Sequence, residues 1–108
     1  MAVEGPFAPH LQDFRDHLTF ERGSSPLTVK AYLADLALWS RAFEAQGITA
    51  PDDLKAEHIR RVLAAESGHA PATQQRRLAA LRTFLDYLME KGVVEASVAA
   101  AVPSPKSR

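Results

Sequence analysis

The run Thr73-Gln74-Gln75-Arg76-Arg77 carries the side chains best suited to gripping a polyanion. An Arg guanidinium forks onto guanine or phosphate, Gln pairs an adenine edge, and Thr donates to a phosphate. Pro71 sits just upstream, and proline is tolerated in a first helical turn because its missing N–H would be unpaired there anyway. The five residues therefore fall on the leading turns of a helix, where free backbone N–H groups and the positive dipole end add attraction for phosphate. Thr28 and Lys30 hold the matching places after Pro26, so Ser24 to Phe43 and His69 to Leu88 form two similar helix starts. With Leu78 at the centre of the buried side and about 100° per residue, Arg76 points about 160° away and Thr83 about 140° away. Gln74 and Arg77 lie nearer the core edge, where their stems can cover apolar surface while their heads emerge. A solvated Gln and Arg face accounts for the same pattern, and the residues alone leave both readings open.

Other chemistry is hard to find. His10, His17, His58 and His69 are scattered, with no two at metal-ligand spacing on one helix face, so no metal or cofactor is expected. There is no glycine-rich phosphate loop and no nucleophile elbow, and Asp52-Asp53 reads as a turn opener. Tyr32 and Tyr87 lie within amphipathic stretches and read as packing residues. The absence of cysteine excludes disulfides and thiolate chemistry. No small-molecule substrate is implied.

A chain of 108 residues is one domain by size, and 46% hydrophobic with 24% charged residues suits a folded protein. No apolar run approaches the roughly 20 residues that span a bilayer, and no signal peptide is evident, so a cytoplasmic protein without a membrane partner is expected. Net charge is zero, but residues 1–54 hold four Lys or Arg against eight Asp or Glu, and residues 55–108 hold nine against five. Such polarity lets a neutral molecule show phosphate a basic face.

The elements that must position these groups follow from apolar spacing and from Gly and Pro punctuation. Residues 1–8 read as a frayed, disordered start, residues 9–102 as a helical domain and residues 103–108 as an extended linker. A first helix is expected from Pro9 to Arg22 on the stripe Leu11, Phe14, Leu18. A second, capped by Ser25, runs to Gln46 and stops at Gly47. It buries Val29, Tyr32, Leu33, Leu36, Trp39 and Phe43, with Lys30, Asp35, Arg41 and Glu44 outside. A third covers Ala56 to Ser67 and is closed by Gly68. The fourth starts at Pro71 without a capping side chain at Ala70, buries Leu78, Leu81, Phe84, Leu85, Leu88 and Met89, and closes at Gly92. The valines from Val93 to Val102 form an irregular or short helical tail. No segment alternates with period two. The expectation is an all-α, compact four-helix bundle with room for a short fifth helix.

The stretches FRDHLTFERGSSPLTVKAYLADLALWSRAF, DDLKAEHIRRVLAA and APATQQRRLAALRTFLDYLMEKGVVEASVAAAVPSPK resemble the N-terminal, SAM-like core-binding domain of tyrosine recombinases. The likeness is to the bacterial Xer recombinases, the XerC branch more than the XerD branch, and covers about residues 10–106. Its most specific parts run from Ser25 to Leu36 and from Arg76 to Phe84. The resemblance implies a bundle whose second and fourth helices cross in the major groove of double-stranded DNA, with Thr28, Lys30, Thr73, Gln74, Arg76 and Arg77 on the groove-facing turns. It implies a parent enzyme that acts with sister recombinase subunits to resolve chromosome dimers at cell division. The family's catalytic Arg, Lys, His and nucleophilic Tyr belong to a second domain, so this chain is expected to bind DNA without cutting it. Ser97-Val98 stands where the family often has Asn-Pro, which implies a looser exit turn.

Five or six phosphate contacts are expected, with a correspondingly steep salt dependence. Replacing Arg76 or Arg77 by Ala is expected to weaken binding with little loss of stability. Arg82 could pair with Asp35 or steady a phosphate. Two competing readings stand: an all-α protein–protein interaction module, suggested by Leu38 and the valine tail, and, more weakly, a standalone enzyme.

Overall fold

The computed structural model describes residues 4–103, and everything said of structure concerns those residues. Four helices make the bundle: α1 (Leu11–Asp16), α2 (Pro26–Ala45), α3 (Ala56–Ala65) and α4 (Pro71–Glu90). Short 3-10 turns at Ala8–His10, Pro51–Asp53 and Val98–Ala101 join or extend them, and no strand occurs among the described residues. The fold is all-α, as the spacing predicts.

The punctuation works as physical chemistry requires. Ser25 Oγ accepts the Thr28 N–H at 3.2 Å, capping α2 with Pro26 at its first position. At the other end Gly47 has φ +84°, its N–H reaches Glu44 O at 2.9 Å, and the Ile48 N–H reaches Phe43 O at 3.0 Å. This paired closure needs a left-handed residue, which glycine supplies without strain. Gly92 ends α4 in the same way. Ala70 offers α4 no side-chain cap. Gly68 lies past the end of α3, which stops at Ala65 rather than Ser67.

The expected first helix is three kinds of turn in sequence. A 3-10 turn leads into α1, and a wider π-helical turn follows at His17–Glu21, closed by Arg22 N–H to His17 O at 3.1 Å. The wider turn keeps Leu18 fully buried while Phe20 stands 80% exposed.

The core holds Phe7, Phe14, Trp39, Phe43 and Phe84 together with the leucines of α2 and α4, the pair of helices sharing the broadest contact. Phe7 corrects the expectation of a frayed start as far as residues 4–8 are concerned. Its ring is fully buried, 4.6 Å from the Phe84 ring and 5.6 Å from the Phe43 ring, edge-on to both. Ser40 fastens the arm: its hydroxyl donates to Glu4 O at 2.6 Å and accepts the Phe7 N–H at 3.1 Å. The tail also packs, with Val94, Ala99 and Val102 buried and Ala100 N–H bonded to Ser97 O at 3.2 Å, so the exit turn at Ser97-Val98 is formed. Met89, expected inside, is 43% exposed: it lies about 100° round the helix from Leu88, which is fully buried. Residues 1–3 and the linker expected after Pro103 lie outside the described residues.

Candidate nucleic-acid interface

The amino-terminal third of α4 divides into two ridges, each of residues three apart, which are neighbours on a helix surface. Gln74 and Arg77 form the inner ridge. Gln74 Nε2 donates to Glu66 O, and Arg77 Nη1 pairs with the Glu66 carboxylate, so both close onto the end of α3. Arg77 is 16% exposed, its Nε lies 4.0 Å from Asp35 Oδ1, and its carbonyl accepts Trp39 Nε1–H at 2.9 Å. Its head therefore does not emerge as expected. It serves as an internal cross-brace between α2, α3 and α4.

Thr73 and Arg76 form the outer ridge. The Arg76 side chain is 60% exposed, yet its guanidinium meets Asp35 side-on, Nε to Oδ2 at 3.0 Å and Nη2 to Oδ1 at 2.9 Å. The hydrogen bonds to Asp35 first, and its negative charge second, push the Arg76 pKa above its ordinary value. The Asp35 side chain is only 6% exposed. Sequence reasoning placed Asp35 outside the buried face and missed it as a site residue. The signal was present, since it stands three residues after Tyr32 and four before Trp39, both on the inward side of α2. Glu66 was missed because nothing local marks the end of α3 as a partner for α4.

These placements correct the expected effect of the alanine substitutions. Removing either arginine strips a partner from a buried carboxylate, so stability falls along with any effect on binding. Arg82 does not pair with Asp35. Its Nη2 donates to Val102 O and holds the tail.

On α2, Thr28 lies on the face of Asp35, two turns nearer the start, and its side-chain oxygen accepts from the Ser25 hydroxyl at 3.0 Å. Lys30 is exposed but turned about 140° from Asp35. It lines a groove with Arg15, Thr19 and Ser24 beside α1. The six candidate residues are thus split: Arg76, Arg77 and Gln74 converge on Asp35 and Glu66, Thr73 and Thr28 flank them, and Lys30 faces a neighbouring groove.

The opposite end of α4 has the opposite character. Asp13, Asp16, His17, Phe20, Glu21, Tyr87 and Lys91 surround a hollow there. His17 Nδ1 meets Glu21 Oε2 at 2.7 Å, and this hydrogen bond, then the charge of the imidazole, lowers the Glu21 pKa. Burial first, and then the carboxylates of Asp13, Glu21, Asp16 and Glu90, raise the Tyr87 pKa. Arg76 stands about 16 Å before Tyr87 along α4, more than a Debye length at physiological salt, so an anion at Arg76 is largely screened from these acids. Among the described residues no three His, Asp or Glu side chains are grouped to hold a metal ion, and no helix is long and apolar enough to cross a membrane.

Comparison with known proteins adds an independent line. Residues 11–92 match the family described as phage integrase, N-terminal SAM-like domain. The chain is 42% identical over 101 residues to tyrosine recombinase XerC of Myxococcus xanthus, covering 92% of this chain and 33% of that protein. Identity to the XerC of Serratia marcescens is 38% over 109 residues, covering 94% and 36% of the two chains. Identity to the XerD of Bifidobacterium longum is 33% over 97 residues, covering 88% and 32%. The chain spans about a third of the length of these curated relatives. Among solved structures, the integrase from mycobacterium phage Brujita shares the fold with TM-score 0.77 at 19% identity, over 93% of this chain and 33% of that one.

Proposed function

We propose, from the premise that this chain belongs to the family of phage integrase N-terminal SAM-like domains, that it binds duplex DNA through the leading turns of α4 and α2. The fold is the SAM-like core-binding bundle of tyrosine recombinases, and the chain is homologous to the N-terminal part of those enzymes. The observation that carries the proposal is the solvent-facing Arg76, fixed beside Thr73 at the positive end of a long helix whose acidic end lies far away. Arg76 and Thr73 face the groove in this reading. Thr28 flanks them on α2, Lys30 reaches a phosphate from the neighbouring groove, and Gln74 and Arg77 keep the helix in place.

The finer reading is the core-binding part of a Xer-type recombinase of the XerC branch, whose Myxococcus xanthus and Serratia marcescens members are 42% and 38% identical to this chain. On that reading the parent works in the cytoplasm with sister subunits to resolve chromosome dimers at cell division. Cleavage and rejoining fall to the part of such proteins beyond the matched third. The features that favoured a protein-docking module are taken up by packing: Leu38 is half-buried, and Val94 and Val102 lie in the core.

The test is fluorescence anisotropy of a labelled random duplex titrated with the purified chain. The expected result is binding that weakens roughly tenfold or more between about 50 and 200 mM salt, since even two neutralised phosphates give that slope. Absence of binding, or equal affinity for heparin and for every duplex, overturns the proposal.

A further inference from the structure

We propose that Asp35 is a positioning residue for sequence reading: it locks Arg76 in place so that the outer fork of the guanidinium is presented to a base edge rather than to a phosphate. This rests on the duplex-binding reading above. A guanidinium carries five N–H donors in a fixed planar array. Asp35 takes two of them, Nε–H and one hydrogen of Nη2. The end-on pair, one hydrogen each from Nη1 and Nη2, is left with the spacing that guanine O6 and N7 accept.

Three observations make this more than an ordinary ion pair. The carboxylate is 6% exposed while the arginine is 60% exposed, so the acid is the fixed member and the base the displayed one. The Arg77 guanidinium backs the carboxylate from the inner side, its Nε 4.0 Å from Asp35 Oδ1, so the acid is held between two arginines of α4. Trp39 ties the α4 backbone at Arg77 to α2, which sets the distance between the helices at this level.

The electrostatics decide which partner suits the fork. A phosphate is drawn by net charge, and Arg76 with Asp35 behind it offers little. A base edge is drawn by direction, and a side chain ordered during folding loses less freedom on binding. Asp35 therefore trades general affinity for discrimination, which separates it from a residue that only holds the fold.

The experiment selects from a pool of randomised duplexes with the chain and its variants, then sequences bound and unbound fractions to obtain the preference at each base position. For the unsubstituted chain one position should favour guanine roughly tenfold. Asp35→Asn, close in shape, should cut that preference severalfold while raising affinity for unselected duplex and steepening the salt slope by about one. Arg76→Lys retains the charge, loses the fork and avoids burying an unpaired group. It should flatten the same position and leave affinity for unselected duplex within about twofold.

The proposal is overturned if Asp35→Asn weakens all sequences alike, the mark of a structural role, or if Arg76→Lys leaves the preference intact. It is equally overturned if the unsubstituted chain binds duplex with no preferred position, a result that leaves duplex binding itself standing. Should Asp35→Asn fail to fold, the Arg76→Lys profile alone decides.

Discussion

Replacing Phe7 by Ala distinguishes a docked amino-terminal arm from a frayed one. The ring is fully buried and meets Phe84 and Phe43 edge-on at 4.6 and 5.6 Å. Truncating a buried Phe costs about 3–5 kcal/mol from lost transfer energy and the cavity left behind. Residues 4–8 can peel away into water instead of enclosing a hole, so the lower end, about 3 kcal/mol, is expected. Against a total stability of about 5–15 kcal/mol that loss is large, and at about 4 °C per kcal/mol it lowers Tm by about 12 °C. Urea unfolding followed by far-ultraviolet circular dichroism measures it, as a lower midpoint with the denaturant slope nearly kept. A loss under about 1 kcal/mol would mean that Phe7 does not fill the core, and the arm's place in the fold would be wrong.

Three further outcomes follow from the same contacts. Gly5 has φ +98°, and a Cβ there would overlap the Ser40 carbonyl, so Gly5→Ala should cost about 2 kcal/mol or more and be far from additive with Phe7→Ala in a double-mutant cycle. Arg77→Ala should cost about 2 kcal/mol in urea unfolding, a buried-pair penalty discounted for the partial exposure of both partners; a cost below about 0.5 kcal/mol would return Arg77 to the solvent face. The raised pKa of Tyr87, caused chiefly by burial, means that the folded state holds the phenol proton more tightly than the unfolded chain. Its share of stability is therefore whole below the unfolded value of 10.0 and is lost as pH rises through the folded value, so Tyr87→Phe should flatten the alkaline limb of a stability–pH curve. An unchanged limb would contradict the burial of that hydroxyl.

The helices and their ends were legible because their determinants are local. Ser25, Pro26, Gly47, Pro71 and Gly92 act within a turn of themselves, and the leucine spacing of α4 marks its inner side without knowledge of any partner. Angular reasoning also sorted Arg76 to the outside and Arg77 toward the core. What the sequence hid depends on pairing between distant elements. Phe7 enters the core only because Ser40, 33 residues later, captures its backbone. The spacing of Asp35 from Tyr32 and Trp39 puts it on the inward side of α2, but that α4 delivers two guanidiniums to it is set by tertiary packing. The π-helical turn at His17–Glu21 changes register by one residue, a shift that no periodicity of Leu11, Phe14 and Leu18 reveals. Local rules thus found the helix that carries the site, while the network that aims its arginine was fixed by tertiary contact.

The most direct test of the duplex-binding claim is amide chemical-shift mapping of the isotopically labelled chain during titration with duplex DNA. Perturbations should gather on Thr28, Lys30, Thr73 and Arg76, leaving His17 to Glu21 and the end of α4 near Tyr87 undisturbed. Shifts concentrated at that acidic end, or none at saturating duplex, would contradict the account.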